Sequence, residues 1–492
     1  MGRGRLLGRF RRRGSGATRI RYPNFLMAAW KTIVNTVVYV FSRRRRLVLE
    51  GRRHGQQYRN WSGDRRHDPT FAEPSTVAEV QAVVRSAASV RMVGAGHSFN
   101  DGLKTGGVTL SLDRLTGVTN IDRDAKQVTV WGGTRLRDLT PVLLEAGLAF
   151  PTLASHDAQS VAGVLATDVH GTARGSAHPS DVVVSLDLVD GSGTLHEGLT
   201  PDDDRFRAAV GGLGAVGVIT SVTFQVGDAF RLCHGTRTET RQWLEEHLDE
   251  LFEEHEHVSF YAYPYTDLVQ VHTWTRTDEE SSRLGPFRES LNEAKAAVVA
   301  ATLGDAMAHW GLLPRFATAA LRLQRPARLV LESHEAFSRS QYHLHQELEI
   351  AVPRERMWDD LATMVELYER RADEDRLPFF LVEVRFSPAG HTASLLGPGV
   401  DRDTAWLCLC LNQSGDVGDY FAEVEAWVRD HDARIHLGKW CEDLGADDLR
   451  RMHGERFDRF RAVRRELDPT GRFANDFVDR VLGPVDEPVT PA

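Results

Sequence analysis

Glu383 and Arg385 stand two apart in 379–386, a stretch whose apolar pattern predicts a β-strand. Side chains alternate across a strand, so a carboxylate and a guanidinium would share one face. A second predicted strand, 433–437, runs into His436-Leu437-Gly438-Lys439 and would aim Lys439 where Ile435 and Leu437 point. Cations so placed stabilise an anion that develops on a substrate. Taken singly, each is as readily a structural ion pair or a rim lysine.

Two glycine-rich elements lie upstream. In Val93-Gly94-Ala95-Gly96-His97-Ser98-Phe99-Asn100 the glycines follow a short predicted strand. They leave a turn with exposed N–H groups, the kind of nest that holds a pyrophosphate. His97 sets an imidazole nucleophile beside it, although such a turn alone can simply carry a solvated histidine. The run 154–172 is made of small and hydroxyl residues and offers little side-chain volume for a core. It suits a backbone lying against a large flat ligand, with Ser155, Ser160 and Thr167 as donors. The Gly-x-Gly-x-x-Gly at 212–217 is a decoy, because a helical run precedes it and a strand follows, the reverse of a dinucleotide fingerprint. Cys408 and Cys410 share one strand face and are read as buried core thiols rather than redox or metal groups. No zinc spacing, HExxH, Walker loop or GxSxG elbow is present, and no metal site is expected.

The elements that must position these residues alternate between β-rich and helical runs from about 54 to 226, which indicates an α+β domain. A second α+β region follows to about 484. It has strands near 258–263, 268–275, 379–386, 405–411 and 433–437, and helices over 357–371, 420–431 and 447–467. Within it, 289–323 is helical and unusually apolar, and 485–492 is an unstructured tail. With 492 residues, 41% hydrophobic and 26% charged, the chain is neither globally disordered nor a polytopic membrane protein. Four cysteines do not make a disulfide scaffold.

Residues 1–53 carry fifteen Arg or Lys and one acid, a charge of +14, so the remainder carries −23 of the overall −9. So acidic a body repels nucleic acid. Between Arg11–Arg13 and Arg43–Arg46 runs 25–41, an apolar stretch shorter than the roughly 20 residues of a bilayer span. On a helix, Lys31, Thr32, Asn35 and Thr36 form one narrow polar stripe. The expectation is an interfacial helix with its arginines on anionic lipid; a true span and a helix packed on the protein's own body remain open. The protein is expected in the cytoplasm, peripheral on the inner face of the cell membrane.

Together, Gly94–Asn100, 155–171, 213–220, 383–386, 436–439 and Phe473-Ala474-Asn475-Asp476-Phe477 resemble, in order, the vanillyl-alcohol-oxidase type of FAD-linked oxidoreductase. The nearest group is the sugar-1,4-lactone and alditol oxidases. The resemblance implies a PCMH-type FAD-binding domain of two α+β subdomains (54–229) and an α+β cap (230–484). It implies FAD held covalently through His97 and lined by Gly94, Ala95, Gly96, Ser98, Ser155, Ser160, Gly163, Thr167, His170, Ile219 and Asn475. Glu383, Arg385 and Lys439 match its substrate-site positions. The substrate would be a sugar lactone or polyol, with O₂ or another acceptor taking the electrons. A dehydrogenase on a nucleotide- or lipid-linked sugar and a non-catalytic flavin-binding membrane scaffold are the alternatives. Three departures stand out. Asp168 replaces a glycine of Thr-Gly-Thr-His and would place a carboxylate close to the flavin. Cys408 and Cys410 fall where alditol oxidases carry His and Thr. Leu437 replaces a tryptophan, which would enlarge the substrate pocket.

Overall fold

The computed structural model describes residues 50–486, apart from 55–56, 283–284, 286–287, 289–306, 308–311, 339–343, 374–379, 392 and 413–416. The basic arm with its expected interfacial helix lies outside the described residues. So does most of the apolar stretch 289–323, of which Leu313–Leu323 is a helix.

Besides two small antiparallel sheets (Arg52–His54, Gln57–Arg59 and Arg66–His67; Leu148–Ala149 with Gly227–Asp228), the first half holds two principal ones among the described residues. A parallel three-stranded sheet has the order Thr70–Ala72, Val108–Ser111, Val90–Val93. An antiparallel five-stranded sheet has the order Leu195–Leu199, Val183–Val189, Val218–Gln225, Gln127–Trp131, Val118–Asp122. The helix Val77–Ser86 packs Val80 and Val84 inward, and Thr76 caps it by accepting from the Glu79 amide. The second half is built on one antiparallel sheet of eight strands. Its order is Ala327–Glu332, Arg231–Thr240, Leu268–Thr277, His257–Ala262, Phe380–Ser387, Thr404–Asn412, His345–Pro353, Arg434–Ile435. The fold is thus the α+β arrangement expected.

Several elements differ from the sequence expectation. The single helix expected over 447–467 is two helices, Ala446–His453 and Glu455–Leu467, separated by Gly454 at φ +56°. That backbone conformation ends the first helix, as glycine does at helix C-termini. The strands Arg231–Thr240, Ala327–Glu332 and His345–Pro353 and the helix Arg241–Glu254 had no clear signal. Charged and hydroxyl residues interrupt the strand patterns, and on His345–Pro353 those polar residues are themselves buried.

Arg91 ties the halves of the first region to the C-terminus. It is buried, and its guanidinium donates to the carbonyls of Gly102 (2.6 Å), Phe473 (2.7 Å) and Leu213 (2.7 Å). Burial and the nearby Arg464 lower its pKa to about 10, still fully charged at neutral pH. Arg91→Leu strands three buried acceptors. Urea denaturation of this variant should show a loss of about 3 kcal/mol or more, given 1.5–3 kcal/mol for each hydrogen bond to a charged group.

Candidate active site

A cleft lies between the two principal sheets of the first half and the eight-stranded one, enclosing about 1550 Å³ of space between atoms, part of it open to solvent. Glycine-rich backbone forms one wall. Gly94 follows the strand Val90–Val93, and a Cβ there would strike Ser160 Oγ. Gly96 sits at φ +70°, where its missing Cβ would strike Tyr58. The loop carbonyls are fixed from behind: Ala95 accepts from the Gly51 amide (2.8 Å) and Gly96 from the Trp61 amide (3.0 Å). Opposite, Ser160 caps the helix Val161–Ala166 by accepting from the Gly163 amide, and Thr167 Oγ1 donates to the Gly163 carbonyl (2.9 Å).

His97 projects into the cleft between two rings. Trp61 stacks on it at 5.4 Å and 18°, and His156 lies 4.2 Å away on centroids. His156 Nδ1 and Gln159 Oε1 are buried in the cleft wall and have no hydrogen-bond partner among the described residues. A wall that leaves polar atoms unsatisfied in this way is shaped for a polar ligand.

The other side of the cleft is a polar face on the eight-stranded sheet. Cross-strand register sets Glu383 opposite Cys408 and Cys408 opposite Glu349. One pair along, Cys410 faces Glu347, and Arg385 faces Trp406. Arg385 Nη2 donates to Glu349 Oε1 (2.5 Å) and Nη1 to the His170 carbonyl (3.2 Å). Lys439 Nζ donates to Glu347 Oε2 and lies 5.5 Å over the Phe99 ring. His170 stacks on Trp406 at 3.8 Å, with Nε2 3.4 Å from Glu349.

The glycine-rich loop and the polar face are joined directly. Asn100 Nδ2 donates to the carbonyls of Leu437 (2.6 Å) and Lys439 (3.1 Å), and the Phe99 amide donates to Gly438 (3.2 Å). Gly438 is required there, since a Cβ would come within 2.8 Å of His436 and 3.2 Å of Thr167. Whatever the loop holds is therefore held in register with Lys439.

Burial and pairing set the charge states. Burial would raise the Glu349 and Glu347 carboxyls, but Arg385 with His170 and Lys439 with His345 overturn that and hold both well below the ordinary range. Their partners Arg385 and Lys439 are pushed up by the same contacts despite burial. His156 and His170 are each lowered to about 3, by burial first and then by Lys439 and Arg385 respectively. His436 is lowered to about 4 by burial. At neutral pH the site therefore combines locked ion pairs with neutral imidazoles.

Of the residues singled out in the sequence, Gly94 to Ser98, Ser155, Ser160, Gly163, Thr167, His170, Ile219, Glu383, Arg385 and Lys439 all line this one cleft. Asn475 does not. It caps the helix Asp476–Leu482 through the Val478 amide and donates to the carbonyls of Asp101 (3.0 Å) and Lys104 (2.8 Å). Asp168 also turns away from the cleft. Its carboxylate accepts from Ser180 (2.7 Å) and pairs with His391 (2.7 Å), so no carboxylate from it lies in the wall. Leu437 is buried and does not line the cleft. Sequence reasoning missed Glu347, Glu349, Trp61 and His156. The signal for the first two was there: His345, Glu347 and Glu349 recur at every second position, as one face of a strand does.

Residues 222–481 match the family described as D-arabinono-1,4-lactone oxidase, and residues 69–198 match an FAD binding domain. An L-gulono-1,4-lactone dehydrogenase of Mycobacterium tuberculosis is 33% identical over 445 residues, covering 86% of this chain and 99% of that protein. An alditol oxidase of a Streptomyces species is 30% identical over 440 residues (86% and 98%), and the L-gulonolactone oxidase of Mus musculus 27% over 442 (87% and 98%). Cholesterol oxidase from Brevibacterium sterolicum shares the fold, with a TM-score of 0.67, 20% identity and coverage of 89% and 97%.

The lowered histidines make stability depend on pH. A folded pKa below the unfolded value means that the unfolded chain takes up protons first. Stability is then lost as pH falls below about 6.5, and the loss levels off near the folded value. For His436 the loss at pH 4.5 should be of order 2 kcal/mol. Urea midpoints measured between pH 7 and 4.5 should fall, and His436→Gln should flatten the slope.

Proposed function

The chain belongs to the D-arabinono-1,4-lactone oxidase family built on an FAD-binding domain, and from that premise we propose that this cleft oxidises an alcohol of a sugar-derived lactone or polyol. The observation that carries the reading is the joining of a glycine-walled cleft to Lys439 through Asn100 and Gly438 and to Arg385 through the His170 carbonyl. The division into an FAD-binding part (54–229) and a cap (230–484) belongs to the same proposal.

The residues present fit FAD. The Gly94–Gly96 turn and the Ser160–Gly163 helix start admit close backbone approach, and the unsatisfied atoms of His156 and Gln159 await polar groups. When bound, FAD supplies a two-electron acceptor for the hydride of a carbinol C–H. The chain's own residues do the rest. His97 is the proposed point of covalent attachment, and its stacking on Trp61 fixes the ring plane. Arg385 and Lys439 stabilise negative charge on the substrate oxygen as its proton departs. Glu349 and Glu347 hold these cations in place, and Glu383, in the same wall, fixes Arg385 or hydrogen-bonds substrate hydroxyls. Cys408, where alditol oxidases carry a polar ring, makes this wall less suited to a long polyol than to a compact lactone.

The relatives support a small sugar substrate and lend nothing to a sugar-nucleotide dehydrogenase or a retired scaffold. Electrons pass to O₂ or to another acceptor. Among the described residues no helix is long and apolar enough to cross a membrane. The arm 1–53 is proposed to touch the membrane peripherally from the cytoplasmic side. Deleting it should shift the protein from membrane to soluble fractions on sedimentation, and an unchanged distribution would end that idea.

Two measurements test the chemistry. Arg385→Met should lower kcat for lactone oxidation about 10²-fold or more, the usual effect of losing a charge-stabilising donor, while the flavin absorbance remains. Acid precipitation should leave the yellow colour in the wild-type pellet and release it from His97→Ala; colour lost from both would refute the covalent bond.

A further inference from the structure

Cys408 and Cys410 project from the same face of the strand Thr404–Asn412, with sulfurs 3.6 Å apart. Glu347 Oε1, on the neighbouring strand, lies 3.8 Å from Cys410 Sγ. These three ligand atoms all fall within 4.8 Å of one another. We infer that Cys408, Cys410 and Glu347 form a binding site for a thiophilic divalent cation of the Zn²⁺ or Cd²⁺ type in the wall of the cleft.

The spacing matches the chemistry. Zinc binds sulfur at about 2.3 Å and carboxylate oxygen at about 2.0–2.2 Å in tetrahedral geometry. Two sulfurs on one such ion lie about 3.8 Å apart, and a sulfur and an oxygen about 3.5–3.7 Å apart. The Cys408–Cys410 and Cys410–Glu347 separations of 3.6 and 3.8 Å already lie within a few tenths of an ångström of these values. The proton that Cys410 now offers to Glu347 occupies the cation's place. As the cation binds, both thiol protons leave to solvent and two metal–sulfur bonds form.

Three further features favour the assignment. His345 Nε2 lies 2.7 Å from Glu347 Oε1 and fixes the carboxylate, as second-shell partners of metal ligands do. Cys408 and Glu347 both line the cleft, so a fourth position opens on solvent or a ligand oxygen. Two sulfurs with one carboxylate select a soft or borderline ion over Mg²⁺ or Ca²⁺. A disulfide is the poorer alternative. Two residues along a strand separate Cα atoms by about 6.6–6.8 Å, the upper limit of disulfide geometry, and the sulfurs stand apart as free thiols.

Because Glu347 is also the partner of Lys439, a cation held there competes for that carboxylate and slows turnover. This consequence, unlike the site itself, rests on the substrate reading given above.

The test titrates the full-length FAD-loaded protein with CdCl₂ and reads the ultraviolet thiolate-to-cadmium charge-transfer band. One equivalent should bind. Cys410→Ser should weaken binding at least tenfold with the flavin spectrum intact, and Cys233→Ser should leave the band in place. His345→Ala should weaken binding about 10–100-fold, as loss of a second-shell partner does. No band in the wild type, or a band that survives Cys410→Ser, overturns the site. In parallel, Cd²⁺ should slow reduction of the flavin by a lactone. A band with full-speed reduction would uphold the metal site and overturn the placement of substrate beside Glu347.

Discussion

Two buried ion pairs on one face of the eight-stranded sheet constrain the rest of the structure. Arg385 and Glu349 are 7% and 0% exposed, and an unpaired charge at such a depth costs several kcal/mol. Each therefore requires the other, yet they stand on strands separated by Thr404–Asn412. The diagonal reach from Arg385 to Glu349 exists only in the observed register. A slip of one residue would turn Glu347, Glu349, Glu383 and Arg385 into the apolar core beneath. The ion pairs of the cleft wall thus also specify the strand alignment.

The opposite wall follows the reverse logic. Where the sheet brings charges close and pairs them, the cofactor loops remove side chains so that backbone can come close. Gly94, Gly96 and Gly132 each stand where a Cβ would meet another segment within 3 Å. The two walls would be independent but for Asn100 and the Phe99 amide, which bond to three carbonyls or turns around Gly438. Through that link a rigid nest and a rigid ion-pair layer become a single site, the preorganisation that positioning of a hydride donor demands.

Much of this was legible from the sequence wherever the signal is local. Glycines followed by His97, the small-residue run 154–172, and Glu383 with Arg385 at strand spacing are patterns a few residues long. What escaped was non-local. Nothing near Glu349 says that its partner lies two strands away, and His345–Pro353 resembles a surface segment because its buried face is charged. Asn475 was read as a cofactor residue from its motif, whereas a helix cap and a tie to the 101–104 turn account for its amide. The break at Gly454 was hidden by strong helical periodicity on both sides.

Asp168 shows how a charged residue can occupy a position suited to glycine. At φ +49° its backbone is in the left-handed region, a strain of order 1–3 kcal/mol. The carboxylate offsets it by accepting from Ser180 and His391, and His391 bonds in turn to Asp181 at 2.5 Å. Burial alone would lower the His391 pKa, but the two carboxylates raise it to about 10, so the ring is a cation clamped between them. His178 completes what has the composition of a metal site. Its ring, however, stacks on His391 at 3.9 Å and 8°. Imidazole lone pairs lie in the ring plane, and two parallel planes never meet at one ion. The cluster is instead a charged clasp that fastens the 167–170 turn, in the cleft wall, to the segment following Phe380–Ser387, which carries Glu383 and Arg385.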